Sequence, residues 1–152
     1  MIELITVDEL ITYLERNEAG KLDIYKGFAR AYIDMQDGEA IDLIIEAEDD
    51  KLSPEICAFT LKVFRELDDC VKKAMGWLEH FNLKNDRWYP NALDAGFKLS
   101  GMYVGNFNYA HYQHFTENGF ALSFEAVNGY PCQFTVKYHT NMWPFTVEEW
   151  VE

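Results

Sequence analysis

The chain is poor in positive charge. Thirteen lysines and arginines face 26 aspartates and glutamates across 152 residues, a formal net charge of −13. A field of that sign repels phosphate backbones and anionic headgroups, which argues against direct nucleic-acid or membrane binding. Cysteine is scarce too. Cys57, Cys70 and Cys132 are an odd number with no CxxC pair, which argues against a disulfide framework and fits reduced thiols in the cytoplasm. The chain has no HExxH, no EF-hand spacing, no GxSxG elbow and no glycine-rich loop opening a helix, so no motif points to metal, acyl-transfer or phosphate chemistry. The start, MIELITVDELITYL, lacks a basic leader and an unbroken apolar run, so neither a signal peptide nor a membrane span is expected.

What is present is apolar and aromatic. A hydrophobic share of 49% and an aromatic share of 16% predict one well-filled domain over residues 1–152, with rings left for the surface. Thr6-Val7-Asp8-Glu9 spells a capping box, with Ile5 and Leu10 placed as a hydrophobic staple, and a short amphipathic helix should follow. ARAYIDM and AIDLIIEA, joined through Asp37-Gly38, read as a β-hairpin. Ser53-Pro54-Glu55 starts a second helix, and Ile56, Phe59, Val63, Phe64, Leu67, Val71, Met75 and Leu78 mark one stripe over more than five turns. On its solvated side, Asp68 with Lys72 and Asp69 with Lys73 are spaced as ion pairs. The period then returns to two, and Asn128-Gly129 supplies a turn between GFALSFEAV and YPCQFTVKYH. The predicted class is α+β: a short N-terminal helix, a β-hairpin, and one long helix packed on an antiparallel sheet. Thr146-Val147-Glu148-Glu149 repeats the capping-box spelling, but too few residues follow for a helix, and Trp143, Pro144, Phe145 and Trp150 are expected to fold back over a sheet edge.

His111 and His114 share a face only if their segment is helical, and a third metal ligand would have to come from His80, His139 or a carboxylate. Cys132 with His139, or Ser100 and Ser123, are the available nucleophile combinations, without a local signature for either. Gly101 and Gly105 lie in a strand pattern, where bulges and bends are the usual reason for glycine. No catalytic set, metal site or cofactor is therefore assigned.

Charge is uneven. Residues 1–52 hold fourteen acids and five bases, residues 53–152 twelve and eight. Asp34, Asp37, Glu39, Asp42, Glu46, Glu48, Asp49 and Asp50 form the main concentration, which is either a solvated face or a docking surface for a basic protein. Tyr103, Asn106, Tyr109, His111 and Tyr112 combine rigid amphipathic rings with adaptable polar groups, a composition found in binding loops; the same aromatics could instead close the end of the sheet. These thirteen residues are the candidate partner-binding set.

A compact acidic chain with a hairpin, a long helix and an antiparallel sheet resembles small bacterial immunity proteins of the contact-dependent or polymorphic toxin kind. The likeness is one of organisation and charge, and it transfers no residue roles. It implies a cytoplasmic, non-enzymatic protein that binds a cognate toxin domain, a basic nuclease for instance, and covers its active site. The alternatives are a small histidine- or metal-dependent hydrolase and a ligand-sensing module with an aromatic pocket.

Overall fold

A computed structural model describes residues 6–16, 22–25, 27–34, 40–47, 51–84, 97–106, 118–126 and 132–151. Helix α1 (Val7–Arg16) begins on the capping box: the Glu9 amide donates to Thr6 Oγ1 at 3.2 Å, and the Thr6 amide reaches Glu9 Oε1 at 3.4 Å. Helix α2 (Pro54–Arg65) begins on Ser53, whose hydroxyl oxygen accepts from the Ile56 amide at 3.1 Å. Each cap satisfies a donor that the first helical turn leaves without an intrahelical partner.

The single long helix expected from the apolar stripe is two helices, α2 and α3 (Leu67–Lys84), broken at Glu66. Glu66 departs from helical geometry (φ −101°, ψ 14°), yet its amide still bonds Lys62 O, and the Cys70 amide bonds Glu66 O. Neither glycine nor proline marks the break, because the apolar period continues through it. What changes is the burial. Helix α2 packs against α1 and over β3 and β4, so Cys57, Ala58, Phe59, Thr60, Leu61 and Val63 are all buried. Helix α3 packs toward β7 and buries a narrower line, Cys70, Ala74 and Leu78, one per turn.

Seven strands form one sheet in chain order: β1 (Asp23–Tyr25), β2 (Phe28–Asp34), β3 (Ala40–Glu46), β4 (Phe97–Asn106), β5 (Asn118–Ala126), β6 (Cys132–His139) and β7 (Pro144–Val151). Every neighbouring pair is antiparallel except β3 and β4, which run parallel across the connection that contains α2 and α3. A parallel pair needs a long crossover, and these two helices provide one. The N-terminal hairpin and the later strands are thus parts of one sheet. Residues 144–151 do cover the edge of β6, as a full strand: Val147 lies opposite Val136, and alternating apolar residues outweigh the helix-cap spelling.

One face of the sheet carries the core. Ala31, Leu43, Met102, Leu122, Val136 and Val147 follow one another in register across β2 to β7, and the first five are buried. Phe120 stacks on Tyr138 at 4.4 Å and meets Phe59 of α2 edge-on at 5.9 Å. The Tyr138 hydroxyl donates to the Cys70 carbonyl, so a buried phenol is satisfied by the helix above it. Small side chains at Cys70 and Ala74 leave space for that approach. Lys73 turns to the β6–β7 connection, donating to Met142 O at 3.2 Å with its ammonium 4.3 Å from the Trp143 ring centre. Among the described residues no helix covers the opposite face.

Candidate functional site: the helix-free face of the sheet

Side chains alternate along a strand, so the residues between the core positions point to the face opposite the described helices. Three cross-strand rows define it. Tyr32, Asp42, Gly101, Ser123, Thr135 and Glu148 are aligned in the first; Arg30, Ile44, Tyr103, Ala121, Lys137 and Thr146 in the second. The third pairs Phe28 with Glu46 and Gly105 with Gly119 and His139.

The β1–β3 part is open to solvent. Tyr25 and Phe28 stack at 5.0 Å, and with Tyr32 they are among the most exposed large apolar side chains described, at 49%, 38% and 49%. Arg30 lies between Tyr32 and Asp42: Nε and Nη2 donate to Asp42 Oδ1 at 3.3 and 3.0 Å, and the guanidinium carbon sits 5.0 Å from the Tyr32 ring centre. The hydrogen bonds that Arg30 donates to Asp42, then the Asp42 charge, raise the Arg30 pKa above the ordinary arginine value.

At the border with β4 and β5, the Glu46 carboxylate and the Tyr103 hydroxyl lean over Gly105. A Cβ added there would meet Glu46 Oε2 at 2.5 Å, Glu46 Cβ at 2.6 Å and the Tyr103 hydroxyl at 3.2 Å. Gly105 is therefore not a bend or bulge. It lies in regular register with Gly119, and its missing side chain makes room for its neighbours. The bulge in β4 falls between Leu99 and Gly101.

Toward β6 and β7 the face closes. Lys137 Nζ contacts Glu148 Oε1 at 2.8 Å, with the two side chains only 6% and 13% exposed, and burial lowers the Lys137 pKa. Ser123 Oγ and Thr135 Oγ1 lie 3.4 Å apart in the neighbouring row, and His139 stacks on Phe145 at 4.2 Å.

Of the sequence-derived partner set, Asp42, Glu46 and Tyr103 come together on this face. Asp34 ends β2 and Asn106 ends β4. Asp37, Glu39, Glu48, Asp49, Asp50, Tyr109, His111 and Tyr112 lie outside the described residues. Sequence reasoning missed Tyr25, Phe28, Arg30 and Tyr32. The signal was DIYKGFARAY, in which ring and arginine positions alternate through a tight turn at Gly27, whose φ of +93° suits glycine. Placing the first strand at Ala29 left half of that pattern out.

A nucleophile–histidine pair from Cys132 and His139 does not form, since they begin and end β6, about 20 Å apart at the rise of a strand. Among the described residues no three His, Cys, Asp or Glu side chains converge as metal ligands. Cys57 and Cys70 are buried thiols whose pKa burial pushes up to about 11, far from the reactive thiolate range. No described helix is long and apolar enough to cross a membrane.

Fold and site together define an α+β protein with helices on one side of a seven-stranded sheet and a ring-and-carboxylate surface on the other. No family model, curated protein or solved structure matches the chain.

Proposed function

We propose that this protein is an immunity-type inhibitor, which acts in the cytoplasm without chemistry of its own by docking its helix-free β1–β4 face on a basic toxin domain and covering the toxin's active site. The observation that carries the reading is the conjunction of solvent-exposed Tyr25, Phe28 and Tyr32 with Asp42 and Glu46 on one face of β1–β3. Exposed aromatic clusters with a charged rim are the anatomy of protein–protein contact sites, in which a few rings supply most of the affinity. The net charge of −13 adds a long-range field that attracts a basic partner and speeds encounter. For a toxin that cleaves nucleic acid, the carboxylates would take the place of the substrate's phosphates.

The test is co-purification of the tagged chain with the products of neighbouring open reading frames, washed at low and then high salt. A stoichiometric basic partner that loosens as salt rises is expected. Tyr32→Ala combined with Asp42→Lys should weaken that complex by more than about tenfold, since a central ring and a rim charge are lost together. Unchanged affinity in the folded double variant, or no basic partner at all, ends the proposal.

A further inference from the structure

The Arg30 contact is an internal example of the chemistry that the open face can accommodate. A guanidinium already rests there, with an aromatic ring against one side and a carboxylate at its edge. We infer that this is the subsite for an arginine of the partner and that Arg30 holds it as an internal stand-in, to be displaced on docking. The inference rests on the proposed function and names the partner group that the face selects.

Three observations support displacement. The pair is 41% exposed on each side, so solvent and salt screen it and little is lost when it opens. Both Arg30 nitrogens bond the same oxygen, Oδ1, at 3.3 and 3.0 Å, rather than making the two parallel bonds of a full carboxylate–guanidinium fork. The receiving groups, Tyr32 and Asp42, sit opposite each other on adjacent strands, so the site is fixed by the register of β2 and β3 and persists when Arg30 swings away. The Lys137–Glu148 pair on the same face has none of this freedom, being nearly closed to water. Guanidinium should be preferred to ammonium, because only the planar group stacks on the ring while it bonds the carboxylate.

The test is calorimetric titration of the full chain with hexa-arginine and hexa-lysine peptides at low salt. The variants are Arg30→Gln, Lys72→Gln as a control that removes the same charge from an exposed position on α3, and Arg30→Gln with Asp42→Asn. Arg30→Gln should bind hexa-arginine about two- to fivefold more tightly than the parent, the factor set by the strength of one exposed ion pair. Lys72→Gln should gain less, hexa-lysine should gain less than hexa-arginine, and Asp42→Asn should remove the gain. If the peptides bind in a salt-dependent way but Arg30→Gln gains no more than Lys72→Gln, the stand-in role is overturned while the basic-partner reading stands. If neither the parent nor Arg30→Gln binds either peptide, both fall.

Discussion

The two ends of the helix-free face use the same kind of cross-strand ion pair in opposite environments. Arg30–Asp42 joins β2 and β3 at 3.0 Å with both side chains 41% exposed; Lys137–Glu148 joins β6 and β7 at 2.8 Å with 6% and 13% exposed. Distance does not separate them, but water does. An exposed pair stabilises by at most about 1 kcal/mol and can exchange partners. A buried pair has lost most of its hydration, so removing either member leaves the other's charge poorly solvated. The first therefore suits a contact surface and the second suits fixing the register of an edge strand.

The sharpest way to break this contrast is Lys137→Met, which leaves Glu148 buried beside an apolar group. A loss of about 3–5 kcal/mol in urea unfolding is expected, and Lys137→Met with Glu148→Leu should recover most of it. A loss below about 1 kcal/mol would mean that the pair is hydrated after all.

Gly105→Ala probes the boundary between the two ends. Its Cβ would press on Glu46 Cβ, which cannot swing away as a side-chain tip can, and about 1–3 kcal/mol of destabilisation follows. Glu46→Gly in the same chain should relieve it; no rescue would place the strain in the backbone instead.

Asp42→Asn sits at the small end. Stability should fall by less than about 1 kcal/mol while partner affinity drops, and that separation distinguishes a surface used for binding from one used for folding.

The helix layer gives a pH dependence that is absent near neutrality and sets in only at alkaline pH. The Cys57 and Cys70 thiols move from 9.0 to about 11 on folding, so the folded state keeps protons that the unfolded state releases. Their contribution is complete below pH 9.0 and declines as pH rises toward 11. Melting curves should show that decline, and Cys57→Ala with Cys70→Ala should flatten it. Neither thiol should react with a disulfide reagent at pH 8 in the native protein, because both side chains are closed to solvent and burial holds them protonated.

Local signals proved readable wherever the physics was local. The Thr6–Glu9 box and the Ser53 cap are hydrogen bonds within three residues, and both form as spelled. Period-two stretches became β2, β3, β5 and β6 because alternation is a property of one strand. Two errors share one cause, a pattern that runs on or repeats where its surroundings change. The apolar stripe continues through Glu66 although the helices on either side bury different faces. The spelling Thr146–Glu149 matches a cap, but β6 offers a row of backbone partners and a strand forms. Similarly, Gly105 reads as a bend until Glu46, from a strand 59 positions earlier, is seen beside it.

The sequence by itself determined the α+β composition, the starts of α1 and α2, the strand periods and the acidic field, since each depends on residue type and short spacing. Only the tertiary structure decided that hairpin and later strands form one sheet through the parallel β3–β4 pair, that three helices occupy one side, and that Tyr25, Phe28, Arg30 and Tyr32 join Asp42 and Glu46 on the other. Those outcomes depend on register between distant segments. A slip of one residue exchanges the faces of a strand, and the choice is made by the core that forms when the chain closes.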